Sequence, residues 1–323
     1  MNRKNAKISV VLSFYNEESN IPELLRRLRK VFTELLAQNS IGSYELVFVN
    51  DASKDNSERL LRDELNAGDV VLVNMSRNFG VSECVLAGMS CVSGDAIIYM
   101  DTDLQDPPEV ISKLVSAWQN DLDAEVIYTT RTSRQGEHWL KMAITKFGYR
   151  FINSISDVEL HIDSGDFKLL SRRVLDYLLS MKEDKPYIRG MVSFIGFKQV
   201  QVFYDREARY DGNENAKMKV MSKRVLYYWL DRALISFSDA PLKVMLFLGA
   251  TMSIISFAYL VIQFIENFLG YLKPDSTELI SAIVFLGSVQ LLTVGVVGLY
   301  IGAIFRESKS RPGYIIKDIL KKS

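Results

Sequence analysis

Residues 97–109 read IIYMDTDLQDPPE, and the fold turns on this stretch. Ile97-Ile98-Tyr99-Met100 is an uninterrupted apolar run, the pattern of a parallel strand buried on both faces. It breaks into Asp101-Thr102-Asp103, followed by Gln105 and Asp106. Pro107 and Pro108 end the strand and open a helix. Asp101, Asp103 and Asp106 crowd carboxylates at the carboxyl end of a buried strand, where they repel one another unless a cation sits among them. Hard oxygen donors of this kind suit Mg²⁺ or Mn²⁺. Open α/β sheets also bind ligands at that end of their strands. Taken alone, the stretch fits a solvated acidic loop with helix-capping aspartates as well.

The same rhythm continues on either side. Lys7 to Phe14, KISVVLSF, reads as a central strand that ends in Tyr15-Asn16-Glu17-Glu18. Asn20 and Pro22 mark a helix start, and Leu24, Leu25, Leu28, Val31, Phe32, Leu35 and Leu36 follow at helical spacing. A strand over 44–49 ends in Asn50-Asp51-Ala52-Ser53, with a helix over 57–65 behind it. A strand over 70–74 leads through Arg77-Asn78-Phe79-Gly80 into a helix that holds Cys84 and Cys91. Glu125 to Thr130 is a further strand, ending at Arg131. Strands alternating with helices in this way predict a doubly wound, mostly parallel sheet. Asn16, Glu17, Asp51, Arg77, Asp101, Asp103 and Arg131 then share one sheet edge. The first strand is followed by no Gly-x-Gly-x-x-Gly, and no Walker Gly-Lys-Ser/Thr is present, which argues against a dinucleotide oxidoreductase or a P-loop ATPase.

Composition narrows the class further. The chain has 323 residues, with 39 basic and 39 acidic side chains, and a nucleic-acid binder would be more basic. Cys84 and Cys91 read as small buried apolar residues, and His138 and His161 as isolated residues that are not ligands. The start, MNRKNAK, runs straight into a strand and reads as no signal peptide. Val244 to Ile265 and Leu279 to Ile304 are each long and apolar enough to cross a bilayer; a buried helical hairpin is the alternative. Arg232 and Lys243 precede the first, and Arg306, Lys309, Arg311 and Lys317 follow the second, so the positive-inside rule puts both termini in the cytoplasm. Lys217, Lys219, Lys223 and Arg224, interleaved with aromatics, predict a juxtamembrane amphipathic helix at the headgroup layer. A helix over 138–155 is a second candidate for that place. Four regions result: a catalytic domain over 1–212, interfacial helices over 213–243, a two-helix transmembrane hairpin over 244–305, and a basic tail over 306–323 that returns to the membrane surface.

Seven motifs carry a resemblance: SFYNEESNIPEL from Ser13, VNDASKDNS from Val49, SRNFG from Ser76, DTDLQDPPE from Asp101, SGDFKLLSRRV from Ser164, YIRGM from Tyr187 and SFSDAPLK from Ser236. On these the chain resembles the family 2 glycosyltransferases with the GT-A nucleotide-sugar fold. Within them it is similar to the polyprenyl-phosphate glycosyltransferases, which include dolichol-phosphate mannose synthases and bactoprenol glucosyltransferases. The resemblance implies inverting transfer of a sugar, glucose first, from a UDP-sugar to undecaprenyl phosphate. It places the protein in the bacterial inner membrane, catalytic domain in the cytoplasm, as a homo-oligomer such as a tetramer. It implies that Tyr15, Asn16, Glu17, Asp51, Arg77 and Asp101 contact the nucleotide-sugar. Asp101, Asp103 and Gln105 would hold Mg²⁺ or Mn²⁺. Asp166, Asp103, Arg131 and Arg189 would serve the reacting centre, and Arg134, Lys217 and Lys219 the acceptor phosphate. Departures from the family pattern are Thr102 where Ala is usual, Lys168 where Arg is usual, Asp163-Ser164, and the long run from Gly212 to Lys217.

The chemistry is consistent with those roles. A lipid phosphate is already anionic at neutral pH and acts as its own nucleophile, so Asp166 suits an orienting or electrostatic role better than that of a proton acceptor. Plainer alternatives stand beside each role: Asp166 as a cap for the segment ending at Arg172, Arg131 and Arg134 as a solvated edge, Arg189 as a structural ion-pair partner. Rival functions are transfer of another UDP-sugar such as an amino sugar, a processive polysaccharide synthase, and a tethered nucleotide-sugar sensor. The synthase would carry Gln-x-x-Arg-Trp, which surrounds none of Trp118, Trp139 and Trp229.

Overall fold

The computed structural model describes residues 3–132, 164–181, 183, 186–207, 210, 240–269 and 276–322. Its strands are β1 (Lys7–Phe14), β2 (Ser43–Asn50), β3 (Val70–Met75), β4 (Ala96–Asp101), β5 (Val126–Arg131), β6 (Ser164–Ser171), β7 (Gln199–Tyr204) and β8 (Ile316–Lys321). Its helices are α1 (Ile21–Ala37), α2 (Ser57–Glu64), α3 (Val81–Cys91), α4 (Val110–Asn120), α5 (Arg172–Ser180), α6 (Ile188–Phe194), α7 (Ala240–Phe268) and α8 (Ser276–Ser308). The strands form one sheet in the order β7-β5-β6-β4-β1-β2-β3-β8. β1 runs parallel to β2 and β4, β2 to β3, and β5 to β7; β6 and β8 are antiparallel to their neighbours.

The apolar runs form strands because both sheet faces are covered. Ile8, Val10 and Leu12 of β1 point to a layer with Leu24, Leu28 and Phe32 of α1 and Ile111 and Leu114 of α4. Val11 of β1, Val47 and Val49 point to the opposite layer with Cys84, Ala87 and Met89 of α3 and Val174 and Leu178 of α5. Leu36, placed on the inner stripe of α1 by its spacing, is 36% exposed and lies at the margin instead. α3 sits close on the sheet through Gly88, where an added Cβ would lie 2.5 Å from Cγ1 of Val11 and 2.7 Å from Cγ2 of Val49.

Three strands escape the sequence reading. β6 holds the Asp166 motif, so Asp166 is a strand residue and not a cap; Ser171 is the N-cap of α5, accepting from the Val174 amide. β7 closes one edge. β8 closes the other and corrects the expectation for the tail: the chain returns to the catalytic sheet and not to a membrane surface. Its alternating pattern half-buries Ile316, Asp318 and Leu320 and exposes Lys317, Ile319 and Lys321, as a one-sided edge strand requires.

The C-terminal helices α7 and α8 contact each other. At a rise of about 1.5 Å per residue each exceeds the ~30 Å hydrocarbon core of a bilayer. Among the described residues, Phe285–Ser308 is the segment long and apolar enough to cross one, and none of its most apolar stretch is buried. Leu246, Phe247, Ile254, Leu291, Val294 and Ile304 all stand exposed. Arg134, Lys217, Lys219, His138, His161, the helix expected over 138–155 and the interfacial helices up to residue 239 lie outside the described residues.

Gly88→Val should overpack the α3–sheet contact and lower stability by about 1–3 kcal/mol. A reduced unfolding midpoint of the detergent-purified protein checks this.

Candidate active site

The loops after β1, β2 and β4 meet at one edge of the sheet, and their conformations are fixed by side chains that belong to them. Asn16 accepts from the Lys54 amide at 2.8 Å, and its own amide donates to Oγ of Ser53 at 3.0 Å. The Glu17 amide donates to Oγ of Ser57 at 2.9 Å. Thr102 is turned inward, 4% exposed, and donates to the Ser13 carbonyl at 3.2 Å, tying the acidic loop to β1. Each loop also contains one non-glycine residue in the left-handed region: Asn16 at φ +57°, Ala52 at +58° and Leu104 at +58°. Such residues cost of order 1–3 kcal/mol where the side chain does not favour the region, and they cluster at functional sites.

Between these loops and α3 lies a cavity of about 250 Å³ lined by Tyr15, Glu17, Asp51, Asp101 and Asp103 together with Ser13, Phe14, Val81, Cys84 and Thr102. Five of the expected residues are therefore brought together. Asn16 and Arg77 are not among the lining. Asn16 is spent on the loop contact above, and the Arg77 guanidinium lies 3.9 Å over the Phe79 ring and donates to the Asn78 carbonyl. Gln105 donates its amide to Oδ1 of Asp103 at 3.1 Å, and its carbonyl accepts from the Glu207 amide at 2.9 Å. A larger cavity of about 510 Å³ lies elsewhere, between Glu83, Glu183 and the stretch from Arg306, in the last turn of α8, to Tyr314, and holds none of the expected site residues.

Asp51 is 5% exposed, and its two oxygens accept from the Phe79 and Gly80 amides at 2.7 and 3.0 Å. It thus anchors the two amides that lead into α3, near the end where the helix dipole favours an anion. Its remaining lone pairs face the cavity wall. Cys84, expected as a plain apolar residue, also lines the cavity; burial and then the Asp51 charge push its thiol far up, so it stays protonated.

β6 brings the reacting-centre residues to the same edge. It pairs antiparallel with β4, Ala96 opposite Ser171 and Tyr99 opposite Lys168. Continuing that register by two residues sets Asp166 opposite Asp101. Arg189 grips Asp166 through two bonds, Nε at 2.6 Å and an amino nitrogen at 2.5 Å. Burial pushes the Asp166 carboxyl up, but the Arg189 bonds and charge, with Lys168 and Arg131, outweigh it and hold it below the usual range. Burial and the charges of Asp166, Asp103 and Asp106 push Asp101 the other way, up to about 7. Lys168 is 2% exposed; burial and Arg189 push its ammonium down to about 7, against the pull of Asp166. The i, i+2 spacing puts Lys168 on the face of Asp166, a signal the strand period would have supplied had β6 been recognised. Arg131 ends β5, its Nε 3.5 Å from the Tyr204 hydroxyl, which in turn donates to Asp106.

Among the described residues, no three His, Cys, Asp or Glu side chains form a closed metal-binding group. Asp101 and Asp103, with Gln105 behind them, make a partial oxygen shell in which one carboxylate is already too crowded to ionise freely. That donor set fits a Mg²⁺ or Mn²⁺ ion that draws its other ligands from phosphate oxygens and water.

Asp51→Ala should leave the Phe79 and Gly80 amides without their acceptor and cost about 1–3 kcal/mol of stability. Asp51→Asn should cost less, because its amide oxygen still accepts one of the two bonds. Unfolding midpoints of the two variants check the order.

Comparison with known proteins matches residues 9–179 to the glycosyl transferase family 2 model and residues 240–304 to the GtrB C-terminal hairpin. An uncharacterized glycosyltransferase of Synechocystis sp. is 37% identical over 97% of this chain and 95% of its own length. The bactoprenol glucosyl transferase of Shigella phage SfV is 36% identical over 97% of this chain and 98% of its own. Among solved structures, glucosyl-3-phosphoglycerate synthase from Mycobacterium tuberculosis aligns at 20% identity over 72% of this chain and 81% of that chain, with a TM-score of 0.47. The catalytic loops and the hairpin therefore fall inside one aligned length of sequence, and the chain belongs to glycosyl transferase family 2.

Proposed function

We propose that this protein is an inverting, membrane-bound transferase that moves one sugar, glucose first among the candidates, from a UDP-sugar to a polyprenyl phosphate such as undecaprenyl phosphate. The observation that carries the reading is the convergence of Tyr15, Glu17, Asp51, Asp101 and Asp103 on one cavity, in a chain similar over 97% of its length to a bactoprenol glucosyl transferase.

In this reading Tyr15, Glu17 and Asp51 receive the uridine, and Asp101, Asp103 and Gln105 hold Mg²⁺ or Mn²⁺. When bound, that ion offsets the charge that develops on the leaving nucleoside diphosphate. Arg134, Lys217 and Lys219 are assigned to the acceptor phosphate, a role suited to fixed cations. The acceptor's phosphate oxygen forms a bond to the anomeric carbon as the bond to the UDP oxygen breaks, and the electron pair leaves with UDP. One in-line step of this kind inverts the centre. Asp166 stays an anion beside that centre because Arg189 holds it below the usual carboxylate range, which makes it a weak base and a strong electrostatic partner.

The sheet supports this topology. The chain leaves the catalytic domain before α7 and rejoins the same sheet through β8 immediately after α8. If Phe285–Ser308 crosses a bilayer, α7 must cross it too, since a single crossing would strand β8 on the far side. The charges after residue 305 support the cytoplasmic face for that sheet.

Three measurements test the reading. Purified protein with Mn²⁺, undecaprenyl phosphate and a panel of labelled UDP-sugars should yield one sugar per lipid phosphate, with inversion and with no reaction on the phosphate-free alcohol; a ladder of products would indicate a processive synthase. EDTA should abolish turnover, and Asp103→Asn should lower kcat roughly 100-fold, the scale for losing one electrostatic stabiliser. A cysteine at Ser276 should react with an impermeant thiol reagent on intact cells while one at Asn2 should not; the reverse pattern would overturn the topology.

A further inference from the structure

One polar row runs across the sheet from β2, whose last residue precedes Asp51, to the edge strand β8. Asn50 of β2 lies in register with Asn74 of β3, and Asn74 with Asp318 of β8. Asn50 is 2% exposed and Asn74 3%, so each amide must find its partners inside the protein. They form a directed chain. Nδ2 of Asn74 donates to Oδ1 of Asp318 at 2.7 Å and at longer range, 3.3 Å, to Oε1 of Glu58. Oδ1 of Asn74 accepts from Nδ2 of Asn50 at 3.0 Å. Oδ1 of Asn50 accepts from the Ser53 amide at 2.8 Å. Ser53 belongs to the loop that carries Asp51 and its left-handed neighbour Ala52. A second link acts in parallel: the Ser76 amide donates to the Ile315 carbonyl at 3.0 Å, just ahead of the Phe79 and Gly80 amides that hold Asp51.

We propose that Asp318 is a positioning residue for the donor site, fixing the Asp51 loop through Asn74 and Asn50 from the strand that continues the membrane hairpin. The inference rests on the UDP-sugar reading above and adds to it the residue that orients the nucleotide loop. The logic is one of amide orientation. An Asn side chain has a donor end and an acceptor end that look alike in shape, and only its partners decide which way it points. An anion at 318 accepts only, so it selects the Nδ2 end of Asn74. That choice turns Oδ1 of Asn74 toward Asn50, which turns Oδ1 of Asn50 toward the Ser53 amide. Without the anion, Glu58 is left as the sole carboxylate on Asn74, at a longer distance and shared with Arg62 and Asn50. The sense of the two amides is then set only by these longer bonds, and the strained turn at Ala52 is secured less firmly.

The test uses the full-length protein in detergent with Mn²⁺. UDP affinity is measured by titration calorimetry, and KM for the UDP-sugar, KM for the lipid phosphate and kcat by turnover. Asp318→Ala should weaken UDP binding and raise the donor KM about five- to tenfold, the scale of one or two hydrogen bonds, with the acceptor KM unchanged. Asp318→Asn, which can present a donor to Asn74 as readily as an acceptor, should recover only part of the loss. Lys317→Ala, whose side chain is exposed on the other face of the strand, should bind UDP as the wild type does. A merely structural role would lower the unfolding midpoint and kcat together with no donor–acceptor split. Asp318→Ala with wild-type UDP affinity, or with donor and acceptor KM raised alike, overturns the proposal. Wild-type protein that binds no UDP overturns the donor reading itself, and this inference with it.

Discussion

Everything at the catalytic edge follows from carboxylates held closer together than water would allow. Burial first, and then the charges of Asp166, Asp103 and Asp106, lift Asp101 to about 7. The protein balances the others one by one. Asp166 has a two-point grip from Arg189, and Asp106 has the Tyr204 hydroxyl and an arginine, Arg206, at 3.6 Å. The Asp101–Asp103 pair is the part left without a basic side chain at bonding distance among the described residues. An unbalanced centre among neutralised neighbours supports the cation proposed above.

The second constraint is mechanical. β8 pairs with β3 and so ties the far end of the hairpin to the strand whose following loop holds Asp51. The hairpin cannot shift far along or away from the sheet without pulling on β3, because the pairing runs from Val71 to Met75. An edge strand otherwise open to aggregation is covered in the same stroke. The single irregularity in that pairing, between Asn74 and Met75, falls where the polar row ends and the Ser76–Ile315 bond begins. Catalytic domain and hairpin are thus parts of one sheet-linked body, which suits an enzyme whose two substrates come from water and from lipid.

The parallel core was legible because its signals are local. Apolar runs bounded by Asn, Asp and Pro gave β1 to β5 to within a residue or two, and family motifs gave the acidic loops. β6, β7 and β8 were not legible, for a common reason. β8, IKDILK, alternates polar and apolar and reads as a basic surface tail until β3 is there to pair with it. β6 carries Asp166 and Lys168, charges that argue against a buried strand until the neighbouring arginine is in place. Polar residues at strand ends can also hold loops: Asn16 ties the loop after β1 to the Ser53–Lys54 turn, and Arg77 packs on the Phe79 ring. Cys84 and Thr102 were passed over because nothing in their spacing tells a cavity wall from a core.

The antiparallel insertion of β6 explains how one sheet assembles a site from distant sequence. In a purely parallel sheet only residues at strand ends reach the catalytic edge. An antiparallel strand delivers its beginning there, so Asp166, the third residue of β6, arrives opposite Asp101, the last of β4. The same reversal places Lys168 one step deeper, where burial costs it its charge, and α6 follows closely enough to supply Arg189. The low position of the Asp166 carboxyl and the near-neutral Lys168 are then two consequences of one geometry: the guanidinium stabilises the nearer anion and disfavours the deeper cation. A carboxylate fixed in this way is a poor proton acceptor at neutral pH. It suits an acceptor that arrives already deprotonated, as a phosphate does, and would serve a sugar hydroxyl badly.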